Sequence, residues 1–497
     1  MFPSNPPTSE FNGAAVSRTH AWRADLLAGI TVFLIALPLC LGIAQASGVA
    51  AFAGILAGVI GGLVVALLSG SRLSVSGPAA GLVVIVVDAL ATLGSFPAFL
   101  SALVLAGALQ ITLGFVRAGR LAGYVPVPVI NGMLASIGLL LIANQLPVAA
   151  GIAGDNISIV MPLLTIASLG ILVAWDLPAL RRLRFVRAIP APLVVVLAGI
   201  AVTGFAGYFA PGEVITQAQR VAMPSLGSWD TFRGALTFPG LEHWLDPAVW
   251  RVAVVIAIVA SLETLLSLEA LEQIDPAHHK APPDRELKAQ GVGNMLAGLI
   301  GALPLTAVVV RSAANVHAGG RSRLSCMTHG FVLLIATLTL TGVINMIPLA
   351  SLAAILIHTG YKLAKPKLFL AMGRAGRTQF VPFIGTIAGV LMTDLLSGIA
   401  IGFALSVVLV VERNLHRAMS FTNDGDHYVL TLRRNATFFC TPQLKRYLQQ
   451  IPPGATLILD ATQADHIDHD VRRTIDSFSA QAQASDVRIE YRHWPAD

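Results

Sequence analysis

The chain has 497 residues, of which 55% are hydrophobic and only 12% charged. Soluble globular chains carry about 25% charged residues, so this composition excludes an ordinary soluble protein and predicts an α-helical polytopic membrane protein. The formal net charge of +6 is distributed, as the loops below show, in a way that reports membrane topology and argues against nucleic acid as a partner.

Residues 1–22 are polar and proline-rich, without the apolar centre of a cleavable signal, and predict a disordered cytoplasmic tail. Apolar segments then recur at a length suited to a bilayer of about 30 Å. They fall near 23–45, 48–69, 77–94, 97–116, 122–145, 158–176 and 189–209. A second series falls near 248–272, 286–302, 305–317, 324–346, 349–361, 378–396 and 398–415. The first segment contains the run LPLCLGIA, in which Pro38 frees a carbonyl and kinks the helix. The third opens on Ser76-Gly77-Pro78-Ala79-Ala80-Gly81. Glycine there permits close backbone approach, and a proline at the first helical position gives up an N–H that has no partner anyway.

The eighth segment carries Glu263, with Ser267 at i+4 on the same face. Glu263 suits three roles: counter-charge to a buried cation, proton carrier, or sodium ligand. The tenth begins after Pro304 and reads LPLTAVVVRSAANVHAGG, with Arg311 inside apolar sequence. A charge at membrane depth costs at least about 2.5–3.5 kcal/mol, which makes an idle one rare. Its guanidinium can meet an oxyanion through two N–H groups, or pair with a carboxylate for structure alone.

Each series of seven has its interrupted segment in third place, and an odd number of crossings turns the second series upside down. The expected fold is therefore a 7+7 inverted repeat with two half-helices. Half-helix N-termini facing one another near the midplane favour an anion through unpaired N–H groups and the helix dipole. Seventeen Lys and Arg, between Arg72 and Arg377, fall in one set of alternate loops, against Arg220, Arg233 and Arg251 in the other. That bias predicts the rich side, and both termini, to be cytoplasmic. Past residue 417 the chain turns polar. Residues 418–497 predict a small α/β domain, with strands at 427–433, 455–461 and 487–492 and helices at 442–451 and 469–483.

Three stretches carry a resemblance. ADLLAGITVFLIALPLCLGIAQASGV (Ala24 to Val49) with SGSRLSVSGPAAGL (Ser69 to Leu82) is the first. ETLLSLEALEQID (Glu263 to Asp275) with RELKAQGVGNMLAGLIGALP (Arg285 to Pro304) is the second, and VRSAANVHAGGRSRLS (Val310 to Ser325) is the third. In this order the sequence resembles the sulfate permease (SulP) family of anion transporters. The resemblance implies a mobile core domain working against a gate domain, a homodimer, and a C-terminal STAS domain, which residues 420–497 resemble in part. Where STAS domains have an Asp-Ser-Ser-Gly-like turn, this chain has Ile467-Asp468-His469-Asp470.

The resemblance also places Leu39 and Ile43 at the wall of the substrate cavity, and Ala79, Ala80 and Gly81 beside the anion. Thr306, the backbone of Val310, and Arg311 complete the anion site. Glu263, Ser267, Leu305 and Thr306 would hold a coupling ion, which could be Na⁺; no other cofactor or metal is expected. A multi-pass secondary transporter of the inner membrane follows, moving a small inorganic oxyanion, bicarbonate ahead of sulfate, with Na⁺ or H⁺. An exchanger, a dicarboxylate symporter and a nucleobase permease of the same fold remain alternatives. No P-loop, Ser/His/Asp triad or redox Cys pair points to ATP coupling or to an enzyme.

Overall fold

The computed structural model of the chain describes residues 18–152, 160–182, 186, 189–209, 215–224, 229–482 and 486–494. Most of the expected tail (residues 1–17), parts of the stretch between the two series of segments (210–214 and 225–228) and the loop arginines Arg184 and Arg187 lie outside them. Two compact units divide the chain: Met1–Met372 with Thr386–Ala400, and Gly373–Gly385 with Ile401–Asp497.

Each expected apolar segment coincides with a helix. In chain order these are α1 (Arg18–Ala46), α2 (Ala51–Leu68), α3 (Val83–Leu93), α4 (Phe96–Phe115), α5 (Val127–Ala149), α6 (Val160–Asp176) and α7 (Ala191–Phe209). The second series is α8 (Pro247–Ile274), α9 (Pro283–Ile300), α10 (Val309–His317), α11 (Arg323–Thr339), α12 (Leu349–Leu363), α13 (Arg377–Met392) and α14 (Leu395–Ala418). Among the described residues, six (α1, α2, α4, α5, α8 and α14) are long and apolar enough to cross a membrane, and four shorter apolar helices accompany them.

Local chemistry sets the helix ends. Ser95 caps α4 by accepting from the Ala98 N–H (3.3 Å), and Asp246 caps α8 by accepting from the Ala248 N–H (2.8 Å), with Pro247 in the first turn. Gly301 ends α9 in a left-handed conformation (φ 84°), which turns the chain into Pro304.

Glycine contacts show how the two series interlock. A Cβ on Gly62 of α2 would sit 2.5 Å from the Cα of Gly330 in α11, and one on Gly107 of α4 or Gly291 of α9 would strike the other's helix at 2.5–2.6 Å. Exchanging the first seven helices for the second seven converts the α2–α11 contact into α9–α4. The α5–α12 contact, where Gly138 and Gly360 meet each other's carbonyl oxygens at 2.4–2.5 Å, converts into itself. Such close backbone approach through small residues is how helices associate where lipid removes the hydrophobic drive between them.

The second unit contains a four-stranded sheet in the order β3 (Met419–Asp424), β4 (His427–Ala436), β5 (Thr456–Ile467) and β6 (Arg488–Arg492). β3 and β4 form an antiparallel hairpin at Gly425 (φ 61°). β4, β5 and β6 run parallel, joined by α15 (Thr441–Leu448) and α16 (His469–Ala482). Leu430, Leu432, Leu444, Leu457, Leu459, Val471 and Ile475 form its core. The three parallel strands and two helices match the expected order; β3 was not anticipated, because SFTNDGD is polar and lacks a strand's alternation of apolar residues.

Candidate functional site

The two interrupted segments meet. β1 (Ser76–Pro78) and β2 (Leu305–Ala307) pair antiparallel, with Ser76 opposite Ala307, Gly77 opposite Thr306 and Pro78 opposite Leu305. β1 leads through a short turn, Ala80–Leu82, into α3, and β2 leads into α10. Because the strands are antiparallel, the two helices leave the crossing in opposite directions and present their N-terminal ends to it. Both dipoles therefore bring a partial positive charge to one place. A π-type turn at Gly61–Val65 in α2 admits β1, since a Cβ on Gly61 would lie 2.2 Å from the Ser76 carbonyl oxygen.

Arg311 lies in this crossing and is 0% exposed. Its Nη2 donates to the Pro78 carbonyl (3.2 Å), so the charge of the second half-helix supports the backbone of the first. Its Nη1 fills the space beside Gly77, where a Cβ would be only 2.3 Å away. Nη1 and Nε are buried and have no hydrogen-bond partner among the described residues. Val310 is 51% exposed, because successive helical residues point about 100° apart. Thr306 is buried, with its hydroxyl donating to the Ala307 carbonyl (3.3 Å).

Glu263 approaches from α8. Its carboxylate lies over Gly81, where a Cβ would meet Oε1 at 2.8 Å and Oε2 at 2.9 Å. Glu263 is half-buried, and its Oε2 is buried without a hydrogen-bond partner among the described residues. The hydroxyl of α8 that reaches the crossing is Thr264, which accepts from the Ala307 N–H (3.3 Å). Ser267 is buried one turn further along. Leu39, Ile43 and Ala79 belong to the buried apolar cluster around the crossing, and Ala80 packs against that cluster half-buried. The structure thus gathers Ala79, Ala80, Gly81, Glu263, Leu305, Thr306 and Arg311. Val310, expected to contribute its backbone, turns its side chain outward.

Sequence reasoning missed the helix behind the crossing. Glu286, Gln290 and Asn294 of α9 are all 0% exposed and recur every fourth residue, so they form one buried polar face. Gln290 Nε2 donates to Ser76 Oγ (2.7 Å) in β1. Asn294 accepts from the Leu305 N–H (2.8 Å) and donates to the Leu305 carbonyl (3.1 Å) in β2. The spacing E-x3-Q-x3-N, in a segment otherwise small and apolar, was the available signal. On the other side, Ser312 accepts from the Val75 N–H (3.0 Å) and donates to the Val308 carbonyl (2.8 Å), tying α10 to the strand before the first break.

The model of the sulfate permease family matches residues 22–386, nearly three-quarters of the chain. "Putative sulfate transporter YvdB" of Bacillus subtilis (strain 168) is 29% identical over 423 residues, 83% of this chain and 78% of that protein. The bicarbonate transporter BicA of Picosynechococcus sp. is 26% identical over 414 residues, 79% and 70% of the two chains. Among solved structures, that of SLC26A9 superposes with a TM-score of 0.74 at 18% identity, covering 97% of this chain and 86% of that one. The transmembrane domain of a cyanobacterial BicA superposes at 0.65 with 24% identity, covering 77% and 98%. These likenesses agree with the mostly helical fold and its small C-terminal sheet. The chain belongs to the sulfate permease family: it is a multi-pass membrane protein that transports an anion, and it is not an enzyme.

Proposed function

We propose that the chain is a secondary active transporter that moves a small inorganic oxyanion by alternating access. One observation carries this reading: two helix N-termini, Ala79–Val83 and Ala307–Arg311, converge on a crossing that also holds a buried guanidinium whose Nε and Nη1 make no hydrogen bond among the described residues. Three sources of positive potential meet beside the methyl side chains of Ala79 and Ala80, which leave room for a polyatomic ion. With Nη2 committed to Pro78 and the residue fully buried, Arg311 acts from beneath the anion through its field. In an interior of low dielectric that field is strong.

Bicarbonate is the favoured substrate and sulfate the next; relatives carry names of both kinds. The unpartnered Oε2 of Glu263 over Gly81 is the place for the coupling cation, Na⁺ or H⁺. Thr306 and the Leu305 carbonyl lie on the neighbouring strand, and Ser267 lies one turn along α8. The distribution of loop arginines supports an inner-membrane protein with both termini cytoplasmic; the homodimer is an expectation carried by the family resemblance alone.

The test is uptake of labelled bicarbonate and sulfate into proteoliposomes, with the Na⁺ and H⁺ gradients collapsed in turn. Uphill accumulation that stops when one gradient is removed is the expected result. Accumulation driven only by an opposing anion gradient would assign the chain as an exchanger, and equal uptake with every gradient collapsed would exclude coupled transport.

A further inference from the structure

The buried polar face of α9 touches both half-helix starts, and it does so with two consecutive turns of one helix. We infer that Gln290 and Asn294 are positioning residues that fix the register of β1 against β2, and through it the anion preference of the site; this rests on the transport reading above. Asn294 treats Leu305 as a third β-strand would. Its Oδ1 takes the Leu305 N–H and its Nδ2 reaches the Leu305 carbonyl, so only a carboxamide at that distance completes the pair. One turn earlier, Gln290 donates to Ser76, the first residue of the opposite strand. A three-residue, two-stranded ribbon has little stability by itself. Its register, Gly77 opposite Thr306, is therefore set from outside, and α9 sets it.

The face is anchored at both ends. Glu286 Oε1 accepts from Gln290 Nε2 (3.1 Å), while its Oε2 accepts from Ser69 Oγ (2.5 Å) and the Gly70 N–H (3.2 Å). At the other end, Asn294 Nδ2 also donates to Gln110 Oε1 (2.7 Å), and Gln110 Nε2 donates to Ser261 Oγ (3.3 Å) on α8. The side chain that orients Gln290 is thus a buried carboxylate with neutral partners. The side chain that orients Asn294 is held in turn by the helix that carries Glu263.

A shift of either strand moves one helix start relative to the other. The spacing between the two starts then changes without any change in the groups they carry. Buried hydrogen bonds of this kind are costly to leave half-made, which gives the register a single preferred value.

The experiment compares full-length wild type with Asn294→Ala, Asn294→Asp and Gln290→Ala in proteoliposomes, reading KM and maximal rate for bicarbonate and for sulfate. Asn294→Asp keeps the acceptor for the Leu305 N–H and loses both donors. Expected for the two alanine variants is a KM for the preferred anion raised about tenfold, equivalent to about 1.4 kcal/mol, a narrowed ratio between the two anions, and a retained maximal rate. Asn294→Asp should fall between wild type and Asn294→Ala. Unchanged KM and anion ratio, or a loss of maximal rate alone, would overturn the inference.

Hydrogen exchange of the peptide spanning residues 303–309 supplies a readout that needs no transport. Asn294→Ala should release the Leu305 amide to faster exchange while peptides from α14 keep their wild-type rates. Unchanged exchange at Leu305 overturns the inference. If wild type moves neither anion, the transport reading fails and this second measurement still decides the register.

Discussion

The two half-helix starts share one geometry and differ in chemistry. The first, Ser76 to Gly81, is neutral and built from small residues, and it receives its charges from elsewhere: Arg311 beneath Pro78 and Glu263 over Gly81. The second, Leu305 to Arg311, carries its own cation and is braced by Thr264, Asn294 and Ser312. An inverted repeat therefore need not be symmetric in function. One start is neutral and the other charged, and antiparallel pairing of three residues brings the two to the same point.

The strongest way to break this comparison is to remove the charge. Arg311→Ala in proteoliposomes is expected to reduce anion uptake to the level of empty vesicles, with the protein still monodisperse and helical by circular dichroism. Arg311→Lys should not restore it, because a point charge cannot both hold the Pro78 carbonyl and fill the space beside Gly77. Unchanged transport in either variant would detach the second start from anion binding.

Next in size is Glu263→Gln. It keeps the shape over Gly81 and removes the charge, so downhill anion flux should persist while cation-driven accumulation disappears. Accumulation equal to wild type would take the coupling role from Glu263.

Gly77→Ala tests the neutral start. The added methyl would overlap Arg311 Nη1, and because the guanidinium is buried and bonded it must give way within a packed site. A rise in KM of about tenfold, or about 1.4 kcal/mol, is expected with little change in the thermal midpoint. A wild-type KM would show that the space beside Gly77 is not tight.

The smallest effect belongs to Ser312→Ala, which leaves the Val75 N–H without its acceptor and costs about 1 kcal/mol of stability. Thermal unfolding should register it, while the anion preference stays at the wild-type value.

Much of this site was legible in the chain. Pro78 and Pro304, each followed by a short apolar run, marked both half-helices, and Arg311 could not be idle at such depth. Several of the apolar segments are bounded by residues with a mechanism, such as Ser95, Asp246 and Gly301. Other features depend on the direction in which side chains leave a helix. The i, i+4 spacing from Glu263 to Ser267 was sound, yet Thr264 is the residue whose hydroxyl meets Ala307. Val310, next to the buried Arg311, points outward. The α9 face is hidden from a hydropathy reading because Glu286, Gln290 and Asn294 are spread through a segment otherwise rich in small and apolar residues. Their purpose appears only when β1 and β2 are seen to pair, a contact between residues more than two hundred positions apart.

The glycine contacts carry a mechanical consequence. Where α2 meets α11, α4 meets α9 and α5 meets α12, backbone touches backbone, and any sliding would drive a carbonyl or a Cα into its neighbour. Gly42 of α1 instead faces the branched tip of Leu356 on α12, where an added Cβ would still sit at 3.3 Å. A leucine tip can swing to another rotamer, and a peptide plane cannot. The α1–α12 contact would therefore resist sliding less than the three backbone contacts do.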